Sequence, residues 1–361
     1  MSNNIPENKL TKKGIDKKTI ATYAVPVLLF AVAQGLKATG NLSSHMTGLL
    51  VPLCYYVILA VSLNITVGIS GELSLGHAGF MCAGAFSGSL FSICTSEIIT
   101  FAPLRFGLAF LVGGLVAALF GLIIGVPILR LRGDYLAIVT LAFGEIIKNI
   151  CAAIYLGYDK DGLHASFQTF DLDPETGKML INGPLGISGT PKDSTFIIGF
   201  ILVMITLIVC VNFINSRTGR AVMAIRDNRI AAESVGINIT KYKLIAFCLS
   251  AFFAGIAGVL YSHNLSTLNS TSKNFGYNMS IMILVFVVMG GMGNTLGSVI
   301  AAIILTILPE VFRSFGNYRM LIYAIALIVM MIFSSAPACI ALRERVVLAI
   351  KDKFKKNPEV Q

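Results

Sequence analysis

Ten mainly apolar stretches, most of them close to twenty residues long, limit what this chain can fold into more than any other feature. They fall at 19–36, 47–69, 76–94, 103–126, 135–157, 194–215, 244–263, 277–290, 295–312 and 319–337. A helix needs roughly 20 apolar residues to cross the hydrocarbon core of a bilayer. Within that core only helices and closed barrels satisfy every backbone polar group. Barrel strands would alternate apolar and polar residues, whereas these stretches are apolar throughout. Charged residues make up only 13% of the chain, against about 25% in a soluble domain. Lipid must therefore cover most of the surface. The expected fold is all-α, a polytopic integral membrane protein of about ten spans that include short or broken helices.

The basic residues set the expected orientation. With the N-terminus in the cytoplasm, the inner segments 1–18, 127–134, 216–243 and 341–361 hold 19 Lys or Arg, and the outer segments hold eight. Cytoplasmic loops carry such an excess, so both termini are expected inside. An even number of spans gives the same result. The organisation read from this is a basic cytoplasmic tail at 1–18, a transmembrane domain at 19–337 and a basic cytoplasmic tail at 338–361. The domain contains an outer loop at 158–193 and an inner loop at 216–243. Ala31-Val32-Ala33 loosely resembles a signal-peptidase site, but the run from Ile20 is read as an uncleaved first helix. Arg343 to Lys356, with Val346, Val347, Ile350 and Phe354 as its apolar side, reads as a helix lying on the inner leaflet.

Several chemistries lack their residues. Seven scattered cysteines form no CxxC pair, and four scattered histidines form no HExxH; neither a metal site nor a disulfide framework is expected. Gly177-Lys178 is followed by Met179, so there is no Walker A loop. The chain is not expected to be an enzyme or to bind a cofactor, and no nucleic-acid partner is expected.

Two segments are unusual for a simple bundle: GISGELSLGHAGF at 68–80 and MGGMGNTLGS at 289–298. Each packs glycines and polar groups between two apolar runs, although each Gly within a helix costs about 1 kcal/mol against Ala. Broken helices at membrane depth are how many transporters build their path; short cytoplasmic turns are the alternative. The candidate path residues are Gly71, Glu72, Gly76, His77 and Gly79 in the first break. In the second they are Gly290, Gly291, Gly293, Asn294 and Gly297. Leucine at Gly76 or Gly293 is expected to stop transport while the protein still assembles. Glu145 and Lys148, three apart inside a span, share a helix face and can pair; they are a functional candidate by position or a self-neutralised pair facing another helix. Glu72 has no local partner. The small-residue pairs Gly84/Gly88, Gly121/Gly125, Ala251/Gly255 and Ala254/Gly258 suit close helix packing, in a channel, a carrier or a scaffold alike.

The inner loop 216–243 is longer than a turn requires. Val222, Ile225, Ile230 and Val235 can share one side of a short helix, with Arg226, Asp227 and Arg229 on the other and Gly236 as its stop. An ordinary basic loop is the alternative. The outer loop 158–193 carries six acids against three lysines, and reads either as a solvated loop or as a docking surface for an extracytoplasmic partner.

These residues together resemble a known family, the permease subunits of ABC importers for branched-chain amino acids, and specifically the larger of two paired subunits. The matching stretches are GISGELSLGHAGF at 68–80, LRGDYLAIVTLAFGEII at 131–147 and NGPLGISGTP at 182–191. To these are added SRTGRAVMAIRDNRIAAESVGINITKYKLIAFCLSAFFAGIAGVLYS at 216–262, the most specific, and FVVMGGMGNTLGSVIAA at 286–302. The resemblance implies a coupling helix near 220–236 that docks in a groove of a partner ATPase. Arg220, Val222, Ile225, Arg226, Arg229, Glu233 and Gly236 would form it, with Val222 and Ile225 in the groove and the arginines on its rim. It implies a heterodimer with a second permease, two separate ATPase subunits that bind ATP and Mg, and an extracytoplasmic substrate-binding protein. It also implies a multi-pass location in a bacterial or archaeal-type plasma (inner) membrane. Glu72 and the length of the loop 158–193 depart from the family's pattern. Permeases of this fold also carry urea, short amides, simple sugars or nucleosides, and TLAFGE favours the amino acid branch. An ion-coupled carrier would need more intramembrane acids or histidines than this chain has, and a membrane enzyme would need converging catalytic groups.

Overall fold

The computed structural model describes residues 17–40, 43–129, 131, 133–159, 162–169, 177–265 and 267–335. The N-terminal tail as far as residue 16, Arg130, Arg132, the acids of 170–176 and the C-terminal stretch Arg343 to Lys356 lie outside the described residues.

Every apolar run becomes a helix. The first five are α1 (Lys17–Ala38), α2 (Ser44–Asn64), α3 (His77–Cys94), α4 (Ala102–Ile128) and α5 (Asp134–Ala153). After a segment of short strands come α6 (Phe196–Asn215), α7 (Arg217–Asp227), α8 (Arg229–Ser234) and α9 (Ile239–Ser262), then the short α10 (Ser272–Phe275). The series ends with α11 (Tyr277–Gly290), α12 (Thr295–Val311) and α13 (Arg319–Ser335). Eight of these segments are long and apolar enough to cross a bilayer, and Thr295–Val311 and Leu321–Ile332 are shorter apolar helices. The chain is a polytopic helical membrane protein.

The centre of the bundle is α3, α4 and α9, brought together by small residues. A Cβ on Gly84 would lie 2.3 Å from Gly255 Cα, and one on Gly255 would lie 2.5 Å from Gly113 O. No side chain fits at this three-helix crossing, which explains the small-residue pairs of the sequence. The opposite face of α4 presents Leu111, Leu115, Leu119 and Ile123 outward, a stripe suited to lipid tails.

The two ends of the bundle differ. At one end the segment after α5 forms strands rather than an open loop. β1 (Tyr155–Asp159) lies between β2 (Gly162–Ser166) and β3 (Lys178–Asn182), and β4 (Ile187–Ser188) pairs with β5 (Thr267–Leu268). This shortens the expected span 135–157: α5 ends at Ala153, and Tyr155 onward is strand. Arg105, at the start of α4, anchors the cap through Asp193 at 3.2 Å. At the opposite end lie α7, α8 and both glycine-rich breaks.

Candidate functional site

The first break is an irregular segment running into the bundle. Helix α2 closes with a wide turn over Ile65–Ile69, in which Ser70 N–H donates to Ile65 O at 3.0 Å. Such wide turns occur mostly as single turns within α-helices, frequently at functional sites. Residues 70–76 are not helical, and α3 begins at His77, whose Nε2 lies 2.9 Å from Ser62 Oγ. Ser62 is seven residues back from the end of the wide turn, a rise of about 10 Å. The break therefore climbs by that depth beside α2 before α3 starts.

Irregular backbone at this depth is tolerated only where protein satisfies its polar groups. Leu75 N–H donates to Thr140 Oγ1 on α5 at 3.0 Å, and Ala78 N–H donates to Ser280 Oγ on α11 at 3.0 Å. Ser250 Oγ on α9 donates to Ser62 O at 2.7 Å. Gly76, His77 and Gly79, expected from the sequence to line a path, are thus buried in the chain's own core. A Cβ on Gly76 would sit 2.3 Å from Thr140 O, and one on Gly79 would sit 2.6 Å from Gly144 Cα. A leucine at Gly76 would push α5 away, so it tests packing rather than passage, contrary to the expectation from sequence. Gly71 and Leu73 reach the surface.

The second break is a tight turn. Gly291 and Gly293 take positive φ of 88° and 83°, a conformation that side chains disfavour. Asn294 caps α12 by accepting from Gly297 N–H at 3.2 Å. Gly290 and Gly297 cross so closely that a Cβ on Gly297 would fall 1.8 Å from Gly290 O.

The two breaks meet. Asn64, the last residue of α2, accepts from Gly293 N–H through Oδ1 at 2.8 Å. Arg226 at the end of α7 donates from a terminal nitrogen to Gly68 O at 2.8 Å. Gly71, with φ of 72°, lies under the Arg226 stem, where a Cβ would come within 2.7 Å of Cγ. Glu72 has its partner 171 residues away: Lys243, near the start of α9, donates to its carboxylate. Both side chains are nearly buried, so each charge requires the other.

The segment 216–243 is two helices and not one. Ser216 caps α7, accepting from Gly219 N–H at 3.1 Å. Asn228 turns extended and caps α8, accepting from Ala231 N–H at 3.0 Å. This interruption rotates the apolar residues apart. Val222 and Ile225 face inward and are buried by this chain itself, with Ile225 packed on Ala232 and Ile239. They cannot fill a partner's groove, as the resemblance implied. Ile230 and Val235 face outward at 81% and 74% exposure, beside exposed Arg220 and Glu233. Arg229 and Glu233 form no ion pair among those of the described residues. Gly236, with φ of 83°, ends α8 as the sequence pattern indicated.

Near the capped end, Lys148 pairs with Glu145 and donates to Ser272 Oγ at 3.0 Å. Glu145 also accepts from Tyr277 N–H at 2.8 Å, at the start of α11, where a carboxylate suits the positive end of the helix. The pair ties α5 to α10 and α11. Among the described residues no group of three His, Cys, Asp or Glu is placed to hold a metal.

Reading the sequence alone missed Asn64, Ser62, Thr140, Lys243 and Ser280. Asn64 carried a signal, as a lone amide inside an apolar run. Lys243 reads in the sequence only as one of the basic residues of the loop 216–243.

Comparison with known proteins finds relatives over most of the chain. The chain is similar to the high-affinity branched-chain amino acid transport system permease protein LivM of Salmonella typhimurium, at 35% identity over 77% of this chain and 66% of that one. It is similar to the LivM protein of Escherichia coli K12 at 32% identity over 90% of this chain and 76% of that one. The fructose import permease protein FruG of Bifidobacterium longum is 25% identical over 85% of this chain and 88% of its own length. No solved structure matches the chain. The family described as branched-chain amino acid transport system / permease component matches residues 45–334, and by that extent the chain belongs to it.

Proposed function

We propose that this permease forms, with a second permease subunit, the translocation path of an ABC importer for branched-chain amino acids. Two separate ATPase subunits drive it, and an extracytoplasmic binding protein delivers the substrate. The greater identity to the two branched-chain amino acid permeases than to the fructose permease supports this substrate class. The same family also supplies permeases for sugars and nucleosides, and that is the second reading.

The observation that carries the proposal is the construction of α7 and α8. Their inner side is fixed to the bundle through Val222, Ile225 and Ala232, while Arg217, Arg220, Ala224, Ile230, Ala231 and Val235 are left exposed. Such a surface fits a groove with an apolar floor and an acidic rim. With the N-terminus inside, it lies on the cytoplasmic side and the β-stranded cap lies outside. Exposed Phe167, Tyr158 and Leu185 on the cap are where the binding protein would dock.

Proline at Ala224 tests the role of α7. Ala224 is exposed, so no packing is lost, but the ring clashes with the preceding turn and costs about 3 kcal/mol. In vesicles containing the assembled complex, Ala224→Pro should lose both binding-protein-stimulated ATP hydrolysis and leucine uptake while the spans stay inserted. Full hydrolysis and uptake in that variant would reduce α7 and α8 to a basic loop.

A further inference from the structure

We infer that Arg226 is a positioning residue that joins α7 to both glycine-rich breaks through Asn64 and Gly68, so that α7 cannot move without moving the turn at 291–294. The inference deepens the proposed function and rests on α7 being the part that the ATPase moves.

The chemistry is local and specific. The Arg226 guanidinium is held by its neighbour, with Nε and one terminal nitrogen donating to Asp227 Oδ1 at 3.1 and 3.0 Å. This leaves the other terminal nitrogen aimed at Gly68 O, 2.8 Å away. A bond from a charged donor is stronger than a neutral one, and the pre-aimed fork loses little freedom in making it. Beneath it the stem lies against Gly71 with no space for a side chain. Push and pull are therefore both transmitted: the stem presses on Gly71, and the guanidinium draws on Gly68 O.

Gly68 in turn has no space on its far side. A Cβ there would lie 2.1 Å from Asn64 Oδ1 and 2.2 Å from Gly293 N. Asn64 Oδ1 holds that same Gly293 N–H. The relay passes from α7 to the wide turn of α2 and on to the turn between α11 and α12, with hydrogen bonds at both joints. The base beneath α7 is stiff, since Ile225 and Ala232 pack on Ile239 of α9.

Two variants separate this relay from ordinary packing. Arg226→Met keeps the stem over Gly71 and removes the donor. Asn64→Leu keeps the branched shape, with a larger volume, and removes the acceptor, and Asn64→Asp restores an acceptor at native size. The complex with its native partners should hydrolyse ATP within about twofold of wild type in Asn64→Leu, since Asn64 is buried and no part of the exposed α7–α8 surface. Leucine carried per ATP should fall about tenfold in Arg226→Met, which loses a bond to a charged group, and about three- to tenfold in Asn64→Leu, which loses a neutral one. Asn64→Asp should recover most of that ratio, and the double variant should be no worse than either single, as expected for residues in one network.

A second measurement does not depend on transport. Amide hydrogen exchange at 291–294 should rise by about three- to tenfold in Asn64→Leu, the range for one neutral bond, and should rise also in Arg226→Met, although Arg226 does not bond that amide. Exchange that is unchanged in Arg226→Met, or a carried-per-ATP ratio equal to wild type, would overturn the relay. A wild-type complex that neither hydrolyses ATP nor carries leucine would overturn the proposed function, and the exchange result would still decide whether the three segments are joined.

Discussion

The break at 68–80 and the turn 291–294 are built from the same residue types and touch the same asparagine, Asn64, yet they are different structures. The first climbs about 10 Å beside α2, and neighbouring helices satisfy it one group at a time: Thr140, Ser280 and Arg226. The second satisfies itself, with Asn294 capping α12 and two glycines at positive φ closing the corner. In the first, Gly76 and Gly79 serve close approach to α5 and Gly71 takes a positive φ; in the second, Gly291 and Gly293 supply the backbone geometry of the corner. A density of glycines between apolar runs therefore marks a break without saying which kind it is.

The comparison makes graded predictions. Gly76→Leu should have the largest effect, because the new side chain meets the Thr140 carbonyl of α5 and not a movable side-chain end. Overpacking of this kind costs about 3 kcal/mol or more, and size-exclusion profiles in detergent should show loss of folded protein. A well-folded Gly76→Leu protein without transport would instead return Gly76 to the path.

Lys243→Met comes next, because it leaves Glu72 nearly buried without its partner. Removing one member of such a pair costs about 3 kcal/mol, seen as a lower melting temperature of the purified protein. The double variant Glu72→Gln/Lys243→Met should recover most of the loss; no recovery would mean that Lys243 acts through something other than Glu72.

Asn294→Ala should cost only about 1 kcal/mol, the value of one helix cap, with Asn294→Asp close to wild type in the same thermal assay. Met292→Ala, exposed on the second turn at 64%, should change stability by less than about 0.5 kcal/mol. A larger effect there would mean that another surface covers the turn.

The sequence made some of this legible and hid the rest for physical reasons. Helices could be read because spans must be apolar along their whole length. Gly236 could be read as a stop, and it is one. The direction in which α7 faces could not be read. Val222 and Ile225 repeat at helical spacing, which identifies an apolar side but not what covers it, and the interruption at Asn228 then turned Ile230 and Val235 the other way. Glu72 looked unpartnered because Lys243 is distant in sequence. The strands over Tyr155–Asp159 and Gly162–Ser166 are five residues each, too short and too mixed in polarity to stand out from a loop.

The central claim is that α7 and α8 are where the energy-supplying subunit meets this permease, and site-specific cross-linking tests it most directly. In a cysteine-free background, a single cysteine replaces either Ile230 on α8 or Leu185 near the stranded cap, both strongly exposed. In inside-out vesicles carrying the whole complex, the cysteine at position 230 should cross-link to the ATPase subunit and the one at 185 should not. Capture of the ATPase from position 185, or from neither position, would contradict the account.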